Sequence, residues 1–310
     1  MVSFLPFTTV NIGITITSTG IRYVQLKAEK IAKTGFLPIE DGLIFDNEIV
    51  NYDLLLANIK PWIKQEKLTG KSIHICIPSS KAYIRSLEIP PAKGKVLKQM
   101  VQLEIETSIQ LPFENPIYDY VVLDEKKADQ NQVLVVAAPL TLVESYVTLF
   151  QKAGLKVKTV DLSSLSLYRV TNHVKKEIPP NMMLVYLTND HVEILLYHYG
   201  APELSREISI QNLFRNIDED HDHEWKWGEI QSEMYRMIQF FENHIHEGTE
   251  QISQILLIGA YPYKEQLISY LNGFFDRVTI ENIDLCDPLI KDDIDFTLPY
   301  GLALKGMGRK

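Results

Sequence analysis

The chain has 310 residues, 45% of them hydrophobic and 23% charged, which excludes a mainly disordered polypeptide. At a prior of about 150 residues per domain it holds two domains, or one with an insertion. Its 31 Lys and Arg against 40 Asp and Glu leave a net charge of -9 and no basic stripe, which argues against a nucleic-acid partner. Cys76 and Cys286 lie far apart without CxxC spacing, so neither a disulfide framework nor a zinc site is expected, and a reducing cytoplasm fits.

The predicted elements begin with a strand over residues 10–16, a turn at Ser18-Thr19-Gly20 and a return strand over 21–26. No positive charge precedes Arg22, and Pro6, Thr8, Thr9 and Asn11 interrupt the apolar start, so no secretory signal is expected. Nor does any stretch approach the about 18 uninterrupted apolar residues of a membrane span, so a membrane link has to come through a partner. A helix over 52–65 carries Leu55, Ile59, Trp62 and Ile63 on one face, and a strand over 72–77 ends at Pro78. There the pattern changes. A strand over 82–89 is stopped by Pro90-Pro91, and a helix over 94–110 repeats Leu97, Val101, Ile105 and Ile109 every four residues. Strands over 118–123 and 133–138 flank a polar turn, and a helix over 141–153 stops at Gly154. This strand–helix–strand–strand–helix block, residues 79–155, reads as a compact module inserted into a larger α/β domain. After Pro179-Pro180 a meander over 182–187, 192–199 and 203–208 opens a second α/β unit. An acidic, His-rich stretch (218–224), a long helix (228–246), a strand (255–258), a helix (263–274), a strand (278–282) and a last helix (296–307) follow.

Three motifs invite a chemical reading and reduce to local structure. Gly70-Lys71-Ser72 lacks the earlier glycine of a phosphate loop, Gln65 standing there, and it precedes a strand instead of opening a helix; it reads as a polar turn. His221, Asp222, His223 and Glu224, even with His244 and His246, lack HExxH spacing and read as a solvated acidic loop, so no metal site is assigned. Ser79-Ser80-Lys81 and Ser163-Ser164 have no GxSxG elbow and read as turn and helix-cap serines. No pair of carboxylates is spaced for acid–base work, and no catalytic residue is assigned.

The segment from Asn11 to Arg22, NIGITITSTGIR, resembles the opening hairpin of actin-like ATPase-fold proteins, usually GIDIGSSSIK. A stronger likeness runs from Ile77-Pro78 through the strand ending at Pro91, the helix ending Gln110-Leu111-Pro112-Phe113, and Tyr118-Asp119-Tyr120. It continues through Val135-Val136-Ala137-Ala138-Pro139, Ala153-Gly154-Leu155 and Val160-Asp161. These residues resemble the inserted subdomain of PilM-type pilus assembly proteins, which is shared with the cell-division protein FtsA. Asp287-Pro288-Leu289 and Tyr300-Gly301-Leu302-Ala303-Leu304-Lys305 are similar to the family's ending.

The resemblance implies a two-lobed actin-like α/β fold with an inserted FtsA/PilM-type subdomain. The division it implies is a first subdomain over 1–78, the insertion over 79–155, a return to the first subdomain over 156–180, a second lobe over 181–290 and a C-terminal helix over 291–310 returning to the first lobe. It also places a nucleotide pocket at Gly13, Thr15, Thr17, Ser18, Tyr186, Thr188 and Gly259, and there the chain departs from the family. Thr15 replaces an Asp that holds a magnesium-bound water, and Thr17 replaces a Gly that lets backbone N–H groups reach the phosphates. Tyr186-Leu187-Thr188 replaces the second phosphate hairpin's DIG, and the adenosine-side glycine pair is reduced to Gly259-Ala260, followed by Tyr261 and Pro262. Magnesium–ATP binding is therefore expected to be weak or absent, and the protein a pseudo-ATPase. The function implied is that of a cytoplasmic scaffold in a type IV pilus or type II secretion-like platform. It would be held at the inner face of the cell membrane by the cytoplasmic N-terminal peptide of a PilN-like single-span membrane protein, alongside other platform components and without inserting into the bilayer. The partner groove falls between the first subdomain and the insertion, with the strand over 82–89 and the helix over 95–110 as its wall and no individual residue singled out. The alternative is an active ATPase of the same fold, in pilus biogenesis or cell division, or a sugar-kinase relative.

Overall fold

A computed structural model describes residues 10–124, 131–188, 191–209, 223–285, 287–290 and 295–307. Strands β1 (Val10–Thr17), β2 (Gly20–Lys27) and β3 (Lys30–Pro38) form an antiparallel meander. A short ribbon of β4 (Ile44–Phe45) and β5 (Glu48–Ile49) leads to helix α1 (Tyr52–Gln65), where the Asn51 side chain accepts from Leu54 N at 3.2 Å and caps the first turn. Strand β6 (Ser72–Ile77) then enters parallel to β1. From Pro78 a tight helical turn (Ser79–Lys81) carries the chain into β7 (Tyr83–Ile89), α2 (Gly94–Thr107), β8 (Pro116–Asp124) and β9 (Asn131–Pro139), which make a separate sheet of order β7-β9-β8. Helix α3 (Leu140–Lys152) and strand β10 (Lys156–Leu162) return to the first sheet, completing the order β10-β6-β1-β2-β3.

Helix α4 (Ser163–Val174) crosses to a second large sheet. Its strands are β11 (Asn181–Leu187), β12 (His191–His198), β13 (Ala201–Ser209), β14 (Gln254–Ile258) and β15 (Thr279–Ile283), in the order β13-β12-β11-β14-β15. Helix α5 (His223–Phe240), extended by a π-helical turn (Phe241–Ile245), links β13 to β14, and α6 (Lys264–Asn272) links β14 to β15. Helix α7 (Thr297–Lys305) closes the described chain. Both large sheets thus repeat one topology, a three-strand meander whose first strand pairs with a parallel strand on its other side.

Packing explains the order. Strands β1 and β11 are central and nearly all buried, so they read as apolar runs and not as alternations. On one face of the first sheet, Ile12 and Ile14 meet Leu55 and Ile59 of α1 and Tyr146, Leu149 and Phe150 of α3. On the other face, α4 and α7 fill the space between the two large sheets, with Leu167, Leu302 and Ala303 among Val24, Leu184 and Tyr197. Helices α5 and α6 cover the outer face of the second sheet. The small sheet has a core of its own, built on Ile89, Leu97, Val101, Val133 and Val135.

The differences from the sequence expectations have physical causes. Strand β3 went unread because Ala28 and Glu29 make its turn at φ 50° and 65°, a left-handed geometry that usually advertises itself with Asn or Gly. Strand β10 and helix α4 were unread too: half-exposed Lys156–Leu162 lacks clean alternation, and three buried serines (163, 164 and 166) blur the apolar face of α4. Helix α3, counted with the block 79–155 by sequence, buries its apolar face in the first sheet's core. Of the expected features, residues 1–9, most of the turn 124–132, the acidic stretch 218–222, Cys286, 291–294 and 308–310 lie outside the described residues.

Candidate functional site

Most of the positions expected around a nucleotide have a local structural occupation. A Cβ built on Gly13 would lie 2.0 Å from the Pro299 carbonyl oxygen, so this glycine admits α7 against β1. Thr15 is buried in the same strand, opposite Arg22. At the hairpin tip, beside Ser18, the Arg22 guanidinium donates to Thr17 Oγ1 through Nη1 and to Thr19 Oγ1 through Nη2, both at 3.0 Å, and lies 4.6 Å from the Phe36 ring centroid. In the second lobe Tyr186 is buried with its ring edge-on to His191, and Thr188 closes the β11–β12 connection, accepting from His191 N at 3.1 Å and donating to His191 O at 2.9 Å. Gly259, at φ +110°, approaches backbone: a Cβ there would lie 2.2 Å from Leu187 O. The nearby Lys264 Nζ donates to Gly259 O at 3.1 Å and pairs with Asp284 at 2.6 Å.

Sequence reasoning missed the polar junction between the lobes. Ser79 sits where the chain leaves β6, while Ser163 and Ser164 open α4. Ser163 Oγ donates to Glu193 Oε1 of β12 at 2.6 Å. It accepts from Ser79 N at 2.9 Å, and Ser79 Oγ, 2.9 Å away, in turn accepts from Ser164 N. Since the Ser163 proton is committed to Glu193, Ser79 Oγ must donate to Ser163 Oγ, and the ring of bonds closes. Burial pushes the Glu193 carboxyl up to about 7, against the lowering effect of the Ser163 hydroxyl. Beside it, Ser80 Oγ and Asn47 Nδ2 both donate to Glu207 of β13, at 2.6 and 3.1 Å. The one signal in the sequence was an acidic residue inside an otherwise apolar strand, HVEILLYH.

The open feature lies elsewhere, between the small sheet and the first large sheet. A cavity of about 480 Å³ is walled on one side by Ile117, Val121 and Val136 and on the other by Ile77, Leu162 and Leu165. Strand β8 is an edge of its sheet. Its side chains alternate: Tyr118, Tyr120 and Val122 pack on the small core, whereas Ile117, Val121 and Leu123 remain 44%, 53% and 41% exposed. At the cavity's polar end Asp161, 1% exposed, pairs with Lys305 Nζ at 3.2 Å and with Arg169. Arg169 also donates to Gly301 O at 2.8 Å, tying α4 to α7. Isoleucine and leucines on one wall, an edge strand of the small sheet on the other and an aspartate held by two cations suit an extended peptide better than a nucleotide.

Comparison with known proteins agrees with the architecture. The profile of the family described as "Type IV pilus assembly protein PilM" matches residues 13–189. No curated protein matches the chain in sequence. Among solved structures, the chain is similar to a "PilM-PilN type IV pilus biogenesis complex", with a TM-score of 0.76 at 18% identity, covering 96% of this chain and 99% of that one. It is also similar to the ethanolamine utilization protein EutJ from Carboxydothermus hydrogenoformans (TM-score 0.51, 12% identity, 97% and 90% covered). A Bacteroides thetaiotaomicron protein with actin-like ATPase fold and unknown function aligns at a TM-score of 0.48 and 14% identity over 91% and 94% of the two chains. With an actin-like α/β frame, an inserted three-stranded sheet and a profile match over more than half its length, the chain belongs to the PilM family of type IV pilus assembly proteins.

Proposed function

We propose that this protein is a scaffold of a pilus assembly platform that captures an extended cytoplasmic segment of a PilN-like membrane protein in the groove beside β8. The observation that carries the reading is the edge strand β8 with Ile117, Val121 and Leu123 exposed on one side over a largely apolar cavity of about 480 Å³. A peptide added to such an edge gains main-chain hydrogen bonds, and its alternate side chains enter the apolar space. In this reading the chain divides at 78/79 and 155/156, so that the groove is the seam between the first subdomain and the insertion. The name of the PilM-PilN complex, at a TM-score of 0.76, supports the identity of the partner. No helix among the described residues is long and apolar enough to cross a membrane, and with a net charge of -9 docking directly on an anionic bilayer is unfavourable. A protein tether is then the route to the inner face of the membrane.

The same proposal assigns no catalysis to the chain. Thr15 offers no charge to a magnesium ion, Arg22 holds the hairpin threonines through both terminal nitrogens, and Gly259 approaches backbone. These occupations support a degenerate pocket and a pseudo-ATPase over an active ATPase. Cell fractionation tests the recruitment. The protein should sediment with membranes when the PilN-like partner is present, and should be released by deletion of the partner or by Val121→Asp. Retention on membranes after the partner is deleted would overturn the reading.

A further inference from the structure

Three departures from regular geometry meet where β12 turns into β13. Tyr199 and Gly200 make the turn at φ 47° and 80°. Leu196 faces Leu204 while Tyr197 faces Pro202, so Glu203 is the extra residue of a β-bulge. On the adjoining element, α5 widens into the π-helical turn, and His246 N donates to Phe241 O at 3.1 Å. Together they converge His198, Glu203 and His246, each offering one ligand atom within 4.8 Å of the others.

The surroundings orient these groups as a metal's supporting shell does. Glu250 accepts from Asn181 Nδ2 at 2.6 Å. A carboxylate only accepts, so the amide is fixed with its oxygen towards His198, whose Nδ1 lies 2.7 Å away and must donate. His198 is thereby held in the tautomer that leaves Nε2 with its lone pair, the usual role of a hydrogen-bonded imidazole beside a metal. Phe241 packs against both rings, at 6.2 Å from His198 and 4.3 Å from His246, and the two imidazoles lie 4.4 Å apart.

We propose that His198, Glu203 and His246 bind a zinc-like divalent cation, with the fourth position left to water. Two imidazoles and one carboxylate are a zinc donor set, and the site is built of side chains unrelated to the groove. His246 Nε2 and Glu203 Oε2 now touch at 2.8 Å. Bonds of about 2.0–2.1 Å around tetrahedral zinc set such atoms about 3.3 Å apart, so the pair has to open by only about half an ångström. A plain His246–Glu203 ion pair accounts for that contact alone. It gives no role to the second imidazole or to the Glu250–Asn181–His198 chain that aims it. The bound ion would clamp β12 and β13 to the segment after α5, bracing the second lobe.

The test is a calorimetric titration of the full, untagged chain with zinc chloride after chelation. One zinc per chain, bound with a dissociation constant tighter than about 100 μM, is expected. Glu203→Gln and His246→Gln should each weaken it about tenfold or more. His244→Gln, on the same turn but outside the trio, should leave it within about twofold. Should either ligand variant fail to fold by circular dichroism, the ring resonances of His198 and His246 in the unaltered protein decide: zinc must shift both. No binding tighter than about 100 μM, unchanged affinity in folded E203Q, or ring signals indifferent to zinc would overturn the proposal.

Discussion

The junction between the two large sheets and the groove beside the small one are both clefts lined from two sides, yet they are finished to different degrees. At the junction Ser79 and Ser163 bond to each other, Ser163 bonds on to Glu193, and of these serine and glutamate side chains only Ser164 Oγ is left without a partner, while Gly13 lets α7 seat directly against β1. At the groove an edge strand presents apolar side chains over open space. A cleft whose polar groups largely satisfy one another has little left to offer a ligand; one that keeps apolar area and strand edge in water gains by covering them. Under the proposed function, recognition takes place at the seam beside β8 and not in the space between the lobes.

Substitutions can break that comparison, beginning with the most severe. Gly13→Ala puts a methyl group on the Pro299 carbonyl, a backbone neighbour that cannot swing aside, and should destabilise the fold by about 3 kcal/mol in urea unfolding. If the variant kept full stability, the packing role given to this glycine would be wrong.

Glu193 gives a pH signature. Its carboxyl is raised in the folded state to about 7 from the ordinary 4.5. Below pH 4.5 it is protonated in folded and unfolded chains alike and does not penalise folding. As pH climbs from 4.5 to 7 the unfolded chain releases a proton that the folded chain keeps, so stability declines and then levels off, by about 3 kcal/mol at most. Glu193→Gln keeps an acceptor for Ser163 and cannot ionise. It should exceed the unaltered protein in stability at pH 8, by about 1–3 kcal/mol, and the advantage should vanish near pH 4.5. Parallel unfolding curves at both pH values would contradict the buried carboxyl.

Smaller effects sharpen the contrast. Ser163→Ala leaves Ser79 N and Glu193 without their shared partner and should cost about 1–2 kcal/mol, measurable as a lower thermal midpoint. Val121→Asp, on an exposed strand face, should change stability by less than about 0.5 kcal/mol while weakening partner capture at least about tenfold. A large stability loss there would make the groove a piece of core instead of a docking surface.

The sequence carried most of the architecture and little of the junction. Strands β1 and β11 announced themselves as apolar runs, and α1 was legible to its ends because Leu55, Ile59, Trp62 and Ile63 repeat with helical period. The pattern change at Pro78 marked the entry to the small sheet, where a core separate from the other three begins. Ser163 gave no such sign, because its partners stand 84 residues before it and 30 after. No local pattern distinguishes a cap serine from a serine bonded across a lobe boundary. Gly13 was only half legible for a related reason: a strand glycine signals close approach, and only the tertiary structure says that α7 is what approaches. The groove wall expected from the strand over 82–89 and the helix over 95–110 is supplied instead by β8 and β9, because which strand lies at the edge depends on strand order, which the chain does not spell out locally.

The most direct measurement of the central claim is a calorimetric titration of the full chain with a synthetic peptide spanning the cytoplasmic N-terminus of the PilN-like partner, set beside the same titration with magnesium–ATP. Saturable one-to-one peptide binding that weakens at least about tenfold in Val121→Asp is expected, with no ATP binding tighter than about 100 μM. ATP bound at low micromolar concentration, together with a peptide that binds Val121→Asp as well as the unaltered protein, would contradict it.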